Sequence, residues 1–260
     1  PVAGKSKLPH WEGKNIPVDF ITANKVGQFR TQVKNGLAKF SNKIISELNF
    51  DIIPDEKTIV VESKRTEEEI VLHACFGTKI NSTIAKLLGS LLESTLGSIV
   101  RTKSDAYRIS LSSPKRISEK HLIDELTSQI DIYDIMSIAL QNTINLDWAT
   151  WCVAKQFNVV QRGARFSKQE ANWIYKRFEG EPLVKEALRE LFHDNFDLLG
   201  TESILEKIRN KEINIVWIDT ENFSPLAEPI LDNTTKSFPS PVNIAPAILD
   251  LVKKRRAKTQ

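Results

Sequence analysis

The sequence predicts an α+β protein, in which a small antiparallel β-sheet module with packed helices precedes a mainly helical module. The first observation is a β-β-α-β-β order of short strand-like runs around one long amphipathic helix, over residues 58–111. The second is a change after Pro114, where short apolar stripes recur at three- and four-residue spacing. A chain of 260 residues is long enough to bury a substantial core.

The long amphipathic helix is the clearest element. Leucine and isoleucine recur at helical spacing from Ile80 to Leu96, so one face of the helix is apolar. Thr78, just after Gly77, is the expected N-cap of this helix, and Gly97 is expected to close it.

The remaining elements of the first module are shorter or less sharply bounded. Four runs bordered by turn residues read as strands, at 58–63, 69–75, 100–103 and 107–111. Ahead of them, residues 19–48 keep a helical period, and we expect a single helix that ends at Asn49 and Pro54.

The second half is expected to be mainly helical. Residues 118–158 predict three short helices, Pro182 is placed to start another, and Gly200 begins a further short helix. Residues 212–219 alternate as a strand, so the order is compatible with a winged-helix-like module. From Asn222 onward the chain is rich in proline and polar residues and is expected to be extended. We therefore expect three parts: 1–114, 115–221, and a Pro-rich segment with a basic tail over 222–260.

The charge distribution is more informative than the net charge of +3. Residues 101–116 and 155–168 are basic, whereas residues 179–206 carry eight acidic and two basic side chains. This asymmetry predicts one positive and one negative face. A solvated charge run is the alternative for each segment.

Several function classes are disfavoured. No apolar run approaches the roughly 18 residues of a membrane span, and no signal-peptide core is present, so we expect a cytoplasmic protein with no membrane partner. Cys75 and Cys152 are expected to be free thiols, and scattered histidines argue against a zinc site. Gly4-Lys5-Ser6 lacks the strand–loop–helix context of a phosphate-binding loop, so no catalytic residue and no cofactor is assigned to this chain. Since it does not begin with methionine, we expect it to be a piece of a longer protein.

What remains is binding, and a nucleic-acid surface needs cations for phosphates and flat rings for bases. Trp11, with Lys14 beside it, lies in a Lys-flanked loop where the indole is placed to stack on an unpaired base; packing under the first helix is the alternative. Arg101, Lys103 and Arg108 lie on the basic hairpin and are expected to contact the backbone.

A third candidate follows the helix predicted near residue 150. Arg162, Arg165 and Lys168 are expected to contact phosphates, with Gly163 allowing close approach of the backbone. The other tryptophans lie on helical or strand stripes, and we expect them in the core: Trp148, Trp151, Trp173 and Trp217.

The segment from Leu72 to Leu111 resembles the region after the motor domains in archaeal and bacterial Lhr-type (large helicase-related) superfamily-two helicases. The resemblance recurs in three other segments and covers most of the chain: Leu8-Pro9-His10-Trp11-Glu12-Gly13, Val153 to Ala164, and Glu186 to Leu198. It implies a DEAD/H-associated accessory region of an ATP-dependent helicase that moves 3′ to 5′. Trp11 is then the position that matches a tryptophan implicated in coupling strand contact to movement.

The same resemblance implies the partners. One partner is single-stranded DNA or a DNA/RNA hybrid, and the other is the set of motor domains of the same polypeptide. The resemblance implies that these motor domains bind ATP and Mg. Two alternatives are a docking scaffold that uses the acidic segment, and independent base chemistry of the glycosylase type, for which no carboxylate stands out.

Overall fold

The structure is a computed structural model, and it describes residues 16–36, 53–64, 68–231 and Ile248. Within these ranges the helices are α1 Phe20–Lys34, α2 Thr78–Leu96, α3 Glu119–Thr127, α4 Ile132–Ala139, α5 Ile144–Gln156, α6 Lys168–Arg177, α7 Pro182–Asn195 and α8 Leu198–Arg209. The strands are β1 Thr58–Lys64, β2 Glu69–His73, β3 Arg101–Ser104, β4 Arg108–Ser112 and β5 Asn214–Thr220, followed by a short 3-10 turn at Glu228–Ile230.

The strands form one five-stranded sheet in the order β3-β4-β2-β1-β5. The first four strands pair antiparallel, whereas β5 pairs parallel to β1. The α+β class and the β-β-α-β-β order around α2 are therefore confirmed. The described strand of the region 115–221 joins this sheet by pairing with β1. The three-part division of the chain stays a prediction.

Alternation along the strands gives the sheet two unlike faces. One face carries apolar residues such as Val61, Leu72 and Ile109, and it packs against α2 in the main hydrophobic core. The other face carries polar residues that are also buried, including Glu62 and His73.

The start of α2 differs from the prediction at its N-cap. Gly77 is the N-cap, and Thr78 is the first helical residue; its hydroxyl accepts a hydrogen bond from the Val18 N–H at 2.9 Å. Thr78 therefore ties the chain entering α1 to the start of α2. The predicted C-cap is confirmed, since Gly97 ends the helix in the left-handed conformation.

A close contact holds α2 against the edge strand β3. A Cβ placed on Gly89 would lie 2.6 Å from Cγ2 of Thr102, which is too short for two carbon atoms. Glycine at this position lets the helix approach the sheet.

The first helix is shorter than predicted. α1 ends at Lys34, because Asn35 caps it and Gly36 follows with a φ of 71°. An Asn-Gly pair is a common helix stop, and it outweighs the apolar spacing that continues beyond it. The rest of the predicted helix lies outside the described residues.

Helices α3 to α8 extend the same core that covers the sheet. Buried residues from both halves belong to one continuous cluster, with Leu91 of α2, Trp151 of α5 and Leu205 of α8 among them. None of the described helices combines the length and apolar content that a membrane crossing requires.

Candidate nucleic-acid interface

The residues predicted to bind nucleic acid fall in three places. Trp11 and Lys14 lie outside the described residues, so their role stays a prediction. The other six lie on the β3–β4 hairpin and on the loop before α6.

The β3–β4 hairpin directs its three basic residues to the face of the sheet opposite α2. Arg101 pairs with Ser112 and Lys103 with Ser110, so both side chains lie on the same side of the sheet as Arg108. Lys103 is exposed and Arg101 is half-buried. The sequence prediction of a common face for Arg101 and Lys103 therefore holds.

Arg108 is engaged within the protein. Its guanidinium contacts the Asp105 carboxylate at 2.7 and 2.9 Å and donates a 2.5 Å hydrogen bond to the Leu226 carbonyl oxygen. Its side chain is 17% exposed. A guanidinium used in this way has little capacity left for a phosphate.

Leu226 belongs to residues 222–231, which we call the strap. Ala227 and Ile230 of the strap pack on Val71 of β2. At its start, the Ser224 N–H and hydroxyl donate hydrogen bonds of 2.8 and 2.5 Å to the Glu62 carboxylate. The strap therefore covers part of the polar face of the sheet.

A buried acid and histidine lie under the strap. His73 Nε2 lies 2.6 Å from Glu62 Oε1. Burial acts to raise the pKa of Glu62, but the hydrogen bonds from His73 and Ser224 outweigh it and hold the pKa below its usual value. Glu62 is therefore a charged acceptor that holds the strap.

Residues 161–168, the basic loop, form the second half of the connection from α5 to α6 and include Lys168, the first residue of α6. Val160, just before the loop, and Ala164 and Phe166 within it are half-buried against the core, so the loop is anchored at these positions. Arg162 and Arg165 lie between these anchors and are exposed. Neither guanidinium has a hydrogen-bond or ion-pair partner within the described part of the chain.

An exposed tryptophan lies beside this loop. Trp148 of α5 is 54% exposed, and its ring meets Phe166 edge-on at a centroid distance of 5.3 Å. The prediction that Trp148 and Trp173 belong to the core is wrong, since Trp173 is 63% exposed. Trp151 is fully buried and Trp217 packs against the core, as predicted.

Lys168 differs from the two arginines because it acts on a buried acid. Burial raises the pKa of Asp147, and the Lys168 ammonium lowers it by a smaller amount. Asp147 Oδ2 is buried with no hydrogen-bond partner among the described residues. The exposed Lys168 is therefore placed to offset this charge as well as to meet a ligand.

The sequence pattern predicts the basic loop but not the exposed tryptophan beside it, Trp148. Helix α5 is apolar on nearly every side, so periodicity does not reveal that Leu146 and Val153 face the core while Ile144 and Trp148 face solvent. The available signal was the spacing of Ile144 and Trp148, four residues apart and away from the buried positions.

An open groove lies on another side of the helical half. It has a volume of about 710 Å³ and is bordered by the start of α4 and the start of α8. Tyr133 and Leu199 line it, and Leu199 is 82% exposed. The groove carries both apolar and charged groups, since Glu202 and Arg209 line it as well.

The described residues bring together no set of three His, Cys, Asp or Glu side chains that could hold a metal ion. The basic loop and Trp148 beside it can supply contacts: two guanidiniums and an ammonium for anions, and an indole face for an apolar ring.

The chain is similar to helicases of archaea and bacteria. It is 22% identical to the ATP-dependent helicase Lhr-Core of Saccharolobus solfataricus and 24% identical to the Lhr-Core protein 2 of Thermococcus barophilus, each over 86% of this chain. The chain spans about 30% of the length of these curated relatives.

A solved structure and a family model agree with these similarities. The fold matches that of the Mycobacterium smegmatis helicase Lhr bound to single-stranded DNA and AMP-PNP, with a TM-score of 0.65 and 20% identity over 88% of this chain and 34% of that one. The family model described as DEAD/H associated matches residues 53–227. Because this match spans more than half of the sequence, the chain belongs to the DEAD/H associated family.

Proposed function

We propose that this chain is the nucleic-acid-binding accessory region of an ATP-dependent DNA helicase that moves 3′ to 5′, and that it guides single-stranded DNA beyond the motor. In this proposal, motor domains elsewhere in the same polypeptide bind ATP and Mg, and this chain supplies no catalytic group. The relatives support it, since they are ATP-dependent helicases more than three times as long as the part matched here.

The observation that carries the proposal is the basic loop. Two exposed arginines, Arg162 and Arg165, have no partner in the described part of the chain, and Lys168 follows them at the start of α6. Residues 155–168 contain no acid, so no nearby carboxylate on this segment competes with a phosphate. Because Val160, Ala164 and Phe166 hold the loop against the core, little conformational entropy is lost on binding.

A loop of this kind recognises a nucleic acid through the phosphate backbone of the polymer. The paired N–H donors of an arginine guanidinium match phosphate oxygens, and such contacts fix the register of a strand without reading its bases. The polymer is then single-stranded DNA or the DNA/RNA hybrid that a helicase opens, and the protein is expected in the cytoplasm.

The proposal is tested by the binding of a fluorescent thymidine strand to the 260-residue chain across a salt series. Affinity is expected to fall steeply with salt, by a logarithmic slope of about 0.7 for each phosphate contact. The double variant Arg162→Gln/Arg165→Gln is expected to reduce that slope by about 1.4, because two contacts are lost.

A matched control removes two positive charges from the acidic segment, residues 179–206. Lys185→Gln/Arg189→Gln alters two exposed residues of α7 and is expected to leave the slope unchanged. An equal reduction of the salt slope by both double variants would mean that the basic loop is not a specific binding site for the strand. Absence of strand binding even at low salt would contradict the proposal.

A second candidate function is docking onto the motor domains of the same polypeptide. The groove with Tyr133 and Leu199 favours it, because a leucine exposed at 82% beside a concave surface offers an apolar contact to a partner domain. Leu199→Glu is expected to weaken association with a separately added motor fragment and to leave strand binding unchanged. An unchanged association would remove this candidate.

A further inference from the structure

We propose that the aromatic pair Trp148–Phe166 forms a stacking platform for an unpaired base of the single strand. This inference rests on the proposed function and adds to it a second kind of contact, with a base in place of the phosphates. It concerns a tryptophan that the sequence pattern assigned to the core.

The platform is held rigidly on the side that faces the protein. Phe166 meets Trp148 at 5.3 Å with the rings inclined by 67°, and it meets the fully buried Trp151 at 6.0 Å and 88°. Phe166 is therefore wedged between a core ring and an exposed ring. Since this contact fixes the edge of Trp148, the indole is oriented before any ligand arrives.

The exposed part of Trp148 needs an apolar, flat partner. A half-exposed indole leaves a large apolar area in water, and a base offers a ring of similar size for that area. Ile144, one turn earlier on α5, is 55% exposed and extends the apolar surface.

The charges around the pair select the kind of partner. Arg165 directly precedes Phe166 and Lys168 follows it by two residues, so cations flank the ring along the loop. Asp147, the acid next to Trp148 in sequence, is buried, whereas Glu170 is exposed two residues beyond Lys168. Flat rings joined by phosphates fit this surface better than a protein segment does, because a protein would need acidic residues on both sides of one apolar side chain.

The second exposed tryptophan lacks this setting and serves as a matched control. Trp173 lies on α6 and is exposed to a similar degree, at 63%. Within the described residues it belongs to no aromatic pair, and it is not on the basic loop. A general effect of removing an exposed indole would appear in both tryptophan variants.

The test compares a thymidine strand of about 20 nucleotides with an abasic strand of equal length, which keeps the phosphates but has no bases. The wild-type chain is expected to prefer the thymidine strand by about tenfold. Trp148→Ala is expected to lose this preference and keep the salt slope, whereas Trp148→Phe and Trp173→Ala should retain most of it.

The outcomes separate the inference from the proposed function. If Trp148→Ala keeps the preference while binding still depends on salt, the stacking platform is refuted and phosphate contact stands. If no variant binds either strand, the proposed function fails. If Trp148→Ala loses affinity for a motor fragment and for neither strand, the pair is a protein contact and the inference is overturned.

A measurement on the unaltered chain covers the case in which Trp148→Ala does not fold. Bound thymidine strand is expected to slow the oxidation of the Trp148 indole, followed by mass spectrometry, and to leave Trp173 unaffected. The abasic strand should protect Trp148 less. Equal oxidation of Trp148 with and without the thymidine strand would overturn the inference.

Discussion

The Arg108 guanidinium donates a hydrogen bond to the Leu226 carbonyl oxygen, between residues 118 positions apart in the chain. Together with the bonds from Ser224 to Glu62, it fastens the strap over the polar face of the sheet. The predicted contact arginines therefore differ in their roles: Arg108 is engaged within the fold, whereas Arg162 and Arg165 are exposed and available for a ligand.

This difference predicts opposite effects for two arginine variants. Arg108→Gln is expected to lower the free energy of unfolding by about 2 kcal/mol, because bonds to a charged group are lost at a mostly buried site. Arg162→Gln should leave stability within about 0.5 kcal/mol and weaken strand binding. Denaturant unfolding and strand titration of both variants check this. An Arg108→Gln variant that keeps its stability but binds the strand more weakly would place Arg108 in the nucleic-acid interface.

The Glu62 carboxylate makes the attachment of the strap dependent on pH. Because its pKa is held below the usual value, its contribution to stability is full above the ordinary glutamate pKa and is lost as the pH falls through the lowered one. The difference in unfolding free energy between wild type and Glu62→Gln should therefore shrink as the pH falls below about 4.5. Denaturant unfolding from about pH 3 to pH 7 measures it. A difference that stays constant would contradict this role.

The pKa of Asp147 implies the opposite dependence of stability on pH. Burial raises its pKa, so the folded protein favours the protonated acid, and stability falls as the pH rises from the ordinary aspartate pKa to the raised one. Asp147→Asn should remove this fall, and Lys168→Gln should enlarge it, because the offsetting ammonium is gone. Unfolding free energies of the three proteins across the acidic range test the prediction. If wild type and Asp147→Asn show the same dependence on pH, Asp147 does not titrate in this way.

Gly163 allows a test of close approach by the phosphate backbone. A Cβ at this position meets no atom within 4 Å, so Gly163→Ala should fold normally. The added methyl group is expected to weaken strand binding several-fold if a phosphate approaches the turn. Gly180→Ala is an unsuitable control, because Gly180 has a φ of 79° and alanine would be strained there. Unchanged affinity in Gly163→Ala would place the phosphate contacts on the side chains alone.

The sequence predicts most of the local structure. The stripe from Ile80 to Leu96 predicts the existence of α2 and its apolar core face, although polar residues on other sides of the helix, such as Asn81 and Ser90, are buried as well. The start of α7 at Pro182 follows equally from a local rule. These features depend on residues close together in the chain.

Features that depend on distant residues were not predictable. The pairing of β5 with β1 joins segments about 150 residues apart, and no local pattern indicates it. The engagement of Arg108 depends on where the strap lies, and the exposure of Trp148 depends on which side of an almost wholly apolar helix meets its neighbours. The positive charge of the basic loop is local, whereas its aromatic neighbour on α5 is brought close by the fold.

The most direct test of the central claim is to map where a bound strand touches the protein. A thymidine strand with photoreactive bases is cross-linked to the 260-residue chain, and the adducts are located by mass spectrometry. We predict adducts at Trp148 and within residues 161–168, which decrease as salt is added. Adducts found only on α7 and α8, with none on the basic loop or α5, would contradict the account.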